Sequence, residues 1–185
     1  MVSRQTTSLV RVEKLADEQL AAIAEVLSVA DHLDAPIWLR GGWAMDFYLG
    51  EITRPHLDVD WFVWAADLPL IASALITGGW QDIAEHPAEQ QRDLVRGGVE
   101  LGFAPLARSE NDTVVVGGGP WAGEPWPNGM LEDAVTSHLA GLTCAVISPA
   151  AQVEIKQMMP VWVPGRPRRD KDLADIKRLQ AALHH

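Results

Sequence analysis

Two carboxylates, Asp58 and Asp60, stand one residue apart in a run that is otherwise apolar: Val59, Trp61, Phe62 and Val63. Successive side chains in a strand alternate faces, so both acids point one way while Val59, Trp61 and Val63 point the other. Like charges on one face repel unless something positive sits between them. A divalent cation meets that need, since Mg²⁺ takes one or two carboxylates together with substrate phosphates. Earlier in the chain, Gly41 and Gly42 follow a short apolar strand candidate at 37–39. A glycine turn there would let backbone N–H groups approach those phosphates. Arg54 and His56 share the parity of the two acids, and a continuous strand would set all four on one face, although Pro55 interrupts the run. The combination implies metal-assisted chemistry on a nucleoside triphosphate. The plainer alternatives are acids on a solvated edge strand, an ordinary Gly-Gly turn, Arg54 in a salt bridge and His56 hydrogen-bonded for structure.

The run GGWAMD, then LG, then TRPHLDVD resembles the signature of the aminoglycoside and lincosamide nucleotidyltransferases. That family is a branch of the polymerase-β-like nucleotidyltransferase superfamily, whose motif is a Gly-Gly or Gly-Ser turn followed by Asp-x-Asp. The likeness is dense over 38–60 and continues more weakly toward the C terminus. There RRDKDLADIKRL at 168–179 matches a family pattern, Lys-Asp-x-x-Asp-x-x-x-Leu.

The resemblance implies transfer of a nucleoside monophosphate, AMP in the first instance, from ATP or another triphosphate to a hydroxyl of a small molecule. Two Mg²⁺ ions could clamp the attacking oxygen and the leaving pyrophosphate. Asp58 and Asp60 are then the metal ligands. A third acid is expected from the later strands, as ligand or general base. Glu100 stands where the family usually has Asp, with Asp93 and Glu110 as competitors. Gly41, Gly42, Arg54 and His56 are expected on the triphosphate. Asp46 either caps or orients Arg54 or touches ligand, and Trp43 is expected to pack. Arg40, Lys156, Arg168, Arg169 and Lys171 are further phosphate candidates, against a solvated basic helix start for 168–171.

A chain of 185 residues suits one domain. We expect a single nucleotidyltransferase domain over 1–185, with a catalytic core at about 1–116 and a C-terminal helical part at about 130–185. The expected class is α/β (α+β), a mixed twisted sheet flanked by helices. The net charge of −10 argues against nucleic acid as the main partner. It suits a cationic acceptor drawn to an acidic wall, such as an aminoglycoside. No run is long and apolar enough to span a membrane and no signal-peptide pattern opens the chain. A cytoplasmic location is expected, with oligomeric state open. The one cysteine, Cys144, reads as a buried small hydrophobe.

Hydrophobic periodicity and turn residues place helices at 17–33, 43–49, 67–77, from about 149, and at about 170–183, the last with Leu173, Ile176, Leu179 and Leu183 on its buried side. Strands are expected at 37–39, 58–64, 90–95, 99–106, 113–116 and 144–147, with Gly97-Gly98 as a hairpin turn. The stretch 117–129, GGGPWAGEPWPNG, is too rich in Gly and Pro for regular structure. Two other functions share this pattern. One is a protein-modifying nucleotidyltransferase of a toxin–antitoxin pair; the other is a nucleotide-binding regulator without catalysis.

Overall fold

The computed structural model describes residues 2–83, 86–87 and 89–184, with side chains from residue 13 onward. Helix α1 (Val2–His32) leads into β1 (Ile37–Arg40) and, without a loop, into α2 (Gly41–Leu49). Then come β2 (Val59–Trp64), α3 (Leu68–Thr77), β3 (Gln81–Ile83), β4 (Arg92–Arg96), β5 (Val99–Arg108) and β6 (Val114–Val116). Strands β7 (Val135–Leu139) and β8 (Leu142–Val146) precede helices α4 (Pro149–Trp162) and α5 (Asp170–Leu183). The strands form one mixed sheet in the order β3-β4-β5-β2-β1-β8-β7, with β6 also on β5. At its centre β2 runs parallel to β5 and antiparallel to β1.

The alternation of β2 divides the sheet into two faces. Val59, Trp61 and Val63 are fully buried in the larger core, with Ile23 and Val26 of α1 and Ile71 and Leu75 of α3. Each such side chain contributes roughly 1.5–3 kcal/mol by leaving water. On the opposite face Phe62 packs with Ala104, Leu106, Met130, Ile147 and Ala151 of α4. Asp60 shares that second face, next to where its apolar packing ends.

Several elements depart from expectation. With no proline or glycine to interrupt it, α1 extends back to Val2. The stretch 130–185 is not all helical, because β7 and β8 join the sheet beside β1. Their turn uses Ala140 and Gly141, both at positive φ, and an alanine gives no turn signal. Helix α5 spans the expected residues and buries Ile176 and Leu179 as expected, but its inward face is rotated toward two acids. Leu173 and Leu183 are exposed, while Asp172 and Asp175 are buried beside Ile176 and Leu179. Ion pairs hold these acids, as described below.

Candidate active site

Helix α2 begins directly at the end of β1, and Asp60 of β2 lies level with Arg40, the last residue of β1. Gly41 has φ +74, and a Cβ there would stand 2.5 Å from Asp60 Oδ2. The carboxylate therefore rests against the first turn of α2, whose leading N–H groups have no intrahelical partners. A Cβ at Gly42 would collide with the His56 ring. Both glycines thus admit side chains as well as opening the backbone.

Gly41, Gly42, Asp58 and Asp60 line one wall of a cleft of about 250 Å³. The facing wall is α4, the 163–169 connector and the start of α5, which bring Gln152, Lys156, Arg166, Arg169 and Lys171. Neither Asp58 nor Asp60 has a hydrogen-bond or ion-pair partner among the described residues. Burial, together with the nearby Asp58 and Asp93 charges, pushes the Asp60 carboxyl above the usual carboxylate range; Arg40 and Lys156 partly offset this.

Arg54 and His56 are not on a strand, since β2 starts only at Val59. Asp175 of α5 receives Arg54 Nε at 3.1 Å and Nη2 at 2.7 Å. Arg54 Nη1 reaches the Pro55 carbonyl and His56 Nδ1. The guanidinium lines the cleft with most of its donors on this scaffold, which is the salt-bridge alternative to the phosphate contact expected of it. Its hydrogen bond with Asp175 raises its pKa further. His56 is buried, with Nε2 2.5 Å from Asp46 Oδ2 and Nδ1 against Arg54. Both ring nitrogens are engaged, so His56 braces Arg54 and has no free donor for a phosphate. Asp46 also accepts from Thr53 Oγ1, so it orients Arg54 through His56. Trp43 packs as expected, its Nε1 donating to Gln19.

Asp175 is the centre of this brace, because Lys156 Nζ also donates to it at 3.0 Å. Burial alone would raise its carboxyl, but the Arg54 and Lys156 contacts outweigh that and hold it below the usual range. Sequence reasoning missed Asp175, whose only signal was its place in the Lys-Asp-x-x-Asp pattern. Three cleft cations have no carboxylate partner among the described residues: Arg40, whose guanidinium lies over the Phe62 ring, Arg166 and Lys171. Desolvation and the Arg169 charge lower the pKa of Arg166 and of Lys171. Arg169 is tied to Asp172, and Arg168 lies outside the cleft lining.

Glu100 does not join the site as expected. The β5 residue level with Asp60 is Gly102, not Glu100. Glu100 sits two residues earlier, exposed and outside the cleft lining. Glu110 is exposed in the β5–β6 turn. Among the described residues, no three His, Cys, Asp or Glu side chains gather tightly enough to enclose a metal ion, so the set Asp58, Asp60 and Glu100 is not assembled. Cys144 is buried, and desolvation pushes its thiol up to about 12, which makes it inert.

A family model described as aminoglycoside-2''-adenylyltransferase matches residues 22–179. Curated 2''-aminoglycoside nucleotidyltransferases of Klebsiella pneumoniae and Escherichia coli are 45% identical over 42 residues, which is 23% of this chain. The matched stretch spans 24% of those relatives' own length. The crystal structure of ANT(2'')-Ia in complex with adenylyl-2''-tobramycin superposes with a TM-score of 0.73 at 22% identity, covering 90% of each chain. Lincomycin-bound LnuA, a lincosamide antibiotic adenylyltransferase, gives 0.67 at 20% identity over 86% of this chain and 94% of its own. At these identities the likeness is one of fold.

Proposed function

This chain belongs to the aminoglycoside-2''-adenylyltransferase family, and from that premise we propose that it transfers AMP from ATP to a hydroxyl of an aminoglycoside-type antibiotic. The observation that carries the reading is the cleft itself. Two partnerless carboxylates line it, Asp60 against the open first turn of α2 and Asp58 near it, together with cations that lack carboxylate partners.

The donor set fits a hard divalent ion, because Asp58 and Asp60 offer only carboxylate oxygens and Mg²⁺ completes such a site with phosphates and water. Bound there, two Mg²⁺ ions would polarise the α-phosphate and neutralise the leaving pyrophosphate. Arg40, Arg166 and Lys171 orient and screen the triphosphate, whose charge offsets the desolvation and the Arg169 repulsion that lower the pKa of the last two. The N–H groups of Gly41 and Gly42 add fixed partial positive charge at the helix start. Arg54 acts at one remove: anchored by Asp175 and His56, it keeps the 51–58 segment, and with it Asp58, against α2. Holding nucleotide and acceptor in line is a large part of catalysis in phosphoryl chemistry.

The test incubates the protein with ATP, Mg²⁺ and a panel of aminoglycosides and lincosamides. The expected result is pyrophosphate release and an acceptor heavier by one AMP. Both should stop on chelation of the metal and resume when Mg²⁺ is restored. Pyrophosphate release that needs a protein acceptor, with none of the antibiotics modified, would contradict the reading.

A further inference from the structure

Building on the nucleotidyl-transfer reading, we propose that Asp93 supplies the third carboxylate of the site, reaching from β4 across Gly102 toward Asp60. The sheet register sets Asp60, Gly102 and Asp93 level on three adjacent strands, and residues level across a sheet share a face. Strands β2 and β4 lie two spacings apart, about 9.6 Å, too far for direct contact if a bulky side chain stood between them. None does. A Cβ at Gly102 would lie 3.2 Å from Asp60 Oδ1 and 3.3 Å from Asp93 Oδ1. Both acids thus lean into the space that a side chain at 102 would occupy.

Asp93 is held in that posture. Gln91 Nε2 donates to its Oδ1 at 2.7 Å, and His86 Nδ1 lies 3.1 Å from its Oδ2. Gln91 and His86 both line the cleft. The segment carrying them is backed by the glycine-rich stretch: a Cβ at Gly118 would strike the Glu89 carbonyl, and one at Gly119 would stand 2.7 Å from Gln90 Cβ. Only glycine permits this approach, which gives Gly118 and Gly119 a positioning role. The Asp93 charge also acts on Asp60. Glu100 has none of these relations.

The test titrates the full-length protein with Mn²⁺ and a nonhydrolysable ATP analogue, reading bound metal by electron paramagnetic resonance. Asp93→Asn should weaken Mn²⁺ binding about tenfold or more at an unchanged melting temperature, while Glu100→Gln should bind as wild type. Returning the acid from the neighbouring strand, Gly102→Asp in the Asp93→Asn background, should recover affinity, because Gly102 needs no positive φ. Wild-type Mn²⁺ binding by Asp93→Asn, loss in Glu100→Gln instead, or a folded double variant without recovery would overturn the proposal. Asp60→Asn is the reference: if it too binds Mn²⁺ unchanged, the nucleotidyl-transfer reading itself has failed.

Discussion

Asp60 rests against Gly41 at the point where β1 passes into α2. Alternation along β2 turns Asp60 to the face opposite Val59 and Trp61, while Asp58 stands exposed one residue before the strand begins. The reason for Gly41 is steric as well as conformational. Its positive φ and the closeness of Asp60 Oδ2 leave no room for a methyl group. Gly41→Ala should therefore displace the Asp60 carboxylate or the first turn of α2. The expected outcome is a loss of transfer of a hundredfold or more, following from misplacement by an ångström or so, with only modest destabilisation. An alanine variant with wild-type turnover would show that neither group needs its present position. The face of Asp60 is legible from strand alternation alone, whereas the absence of Glu100 from the site is not. Which β5 residue stands level with Asp60 depends on the pairing register, and no local pattern reveals that the position belongs to Gly102.

At the scale of elements, α5 acts as a brace. Asp175 ties α5 to the 51–58 segment through Arg54 and to α4 through Lys156. Sequence periodicity located α5 to the residue, because its leucines and isoleucine recur at helical spacing. It found Ile176 and Leu179 on the inward face but missed Asp172 and Asp175, since a buried aspartate becomes legible only with its partner, for Asp175 121 residues away. Removing one member of a buried pair leaves the other charge uncompensated, so Asp175→Asn should cost about 3 kcal/mol in urea unfolding at neutral pH. The folded-state pKa of Asp175 is depressed, so its stabilisation is present above the unfolded value of about 3.9. That contribution is lost as pH falls through the lower folded value. The gap between wild type and Asp175→Asn should hold steady from pH 7 to about pH 5 and shrink below about pH 4. A gap that widened in acid would contradict the ion-pair assignment. The two strands that escaped notice, β3 and β7, are short and flank the sheet, where few apolar residues mark them.

For the whole molecule, the sign of the net charge misleads about the cleft. The chain carries a net charge of −10, yet the cleft lining includes Arg40, Arg54, Lys156, Arg166, Arg169 and Lys171 against Asp58, Asp60 and Asp172. The expected acidic wall is absent from this cleft, and the surplus of negative charge lies elsewhere. Triphosphate binding should accordingly weaken as salt rises from about 0.05 to 0.5 M, since exposed charges are screened beyond about 8 Å at physiological salt. Arg166→Glu should raise the KM for ATP about tenfold, equivalent to roughly 1.4 kcal/mol, with a smaller effect on kcat. Salt-independent binding, or an unchanged KM, would mean that these cations do not face phosphate. Among the described residues no helix is long and apolar enough to cross a membrane.

On the proposed reading, Asp58 and Asp60 hold the metal on which AMP transfer to an antibiotic hydroxyl depends. Its most direct test is a single-turnover comparison of wild type, Asp58→Asn and Asp60→Asn with ATP, saturating Mg²⁺ and the best acceptor from the panel, with adenylylated product followed by mass spectrometry. An amide replaces a charge with a dipole and leaves the side-chain shape almost unchanged, so both variants should fold, melt close to wild type and yield no detectable product. Product from either variant at near-wild-type rate would contradict the account.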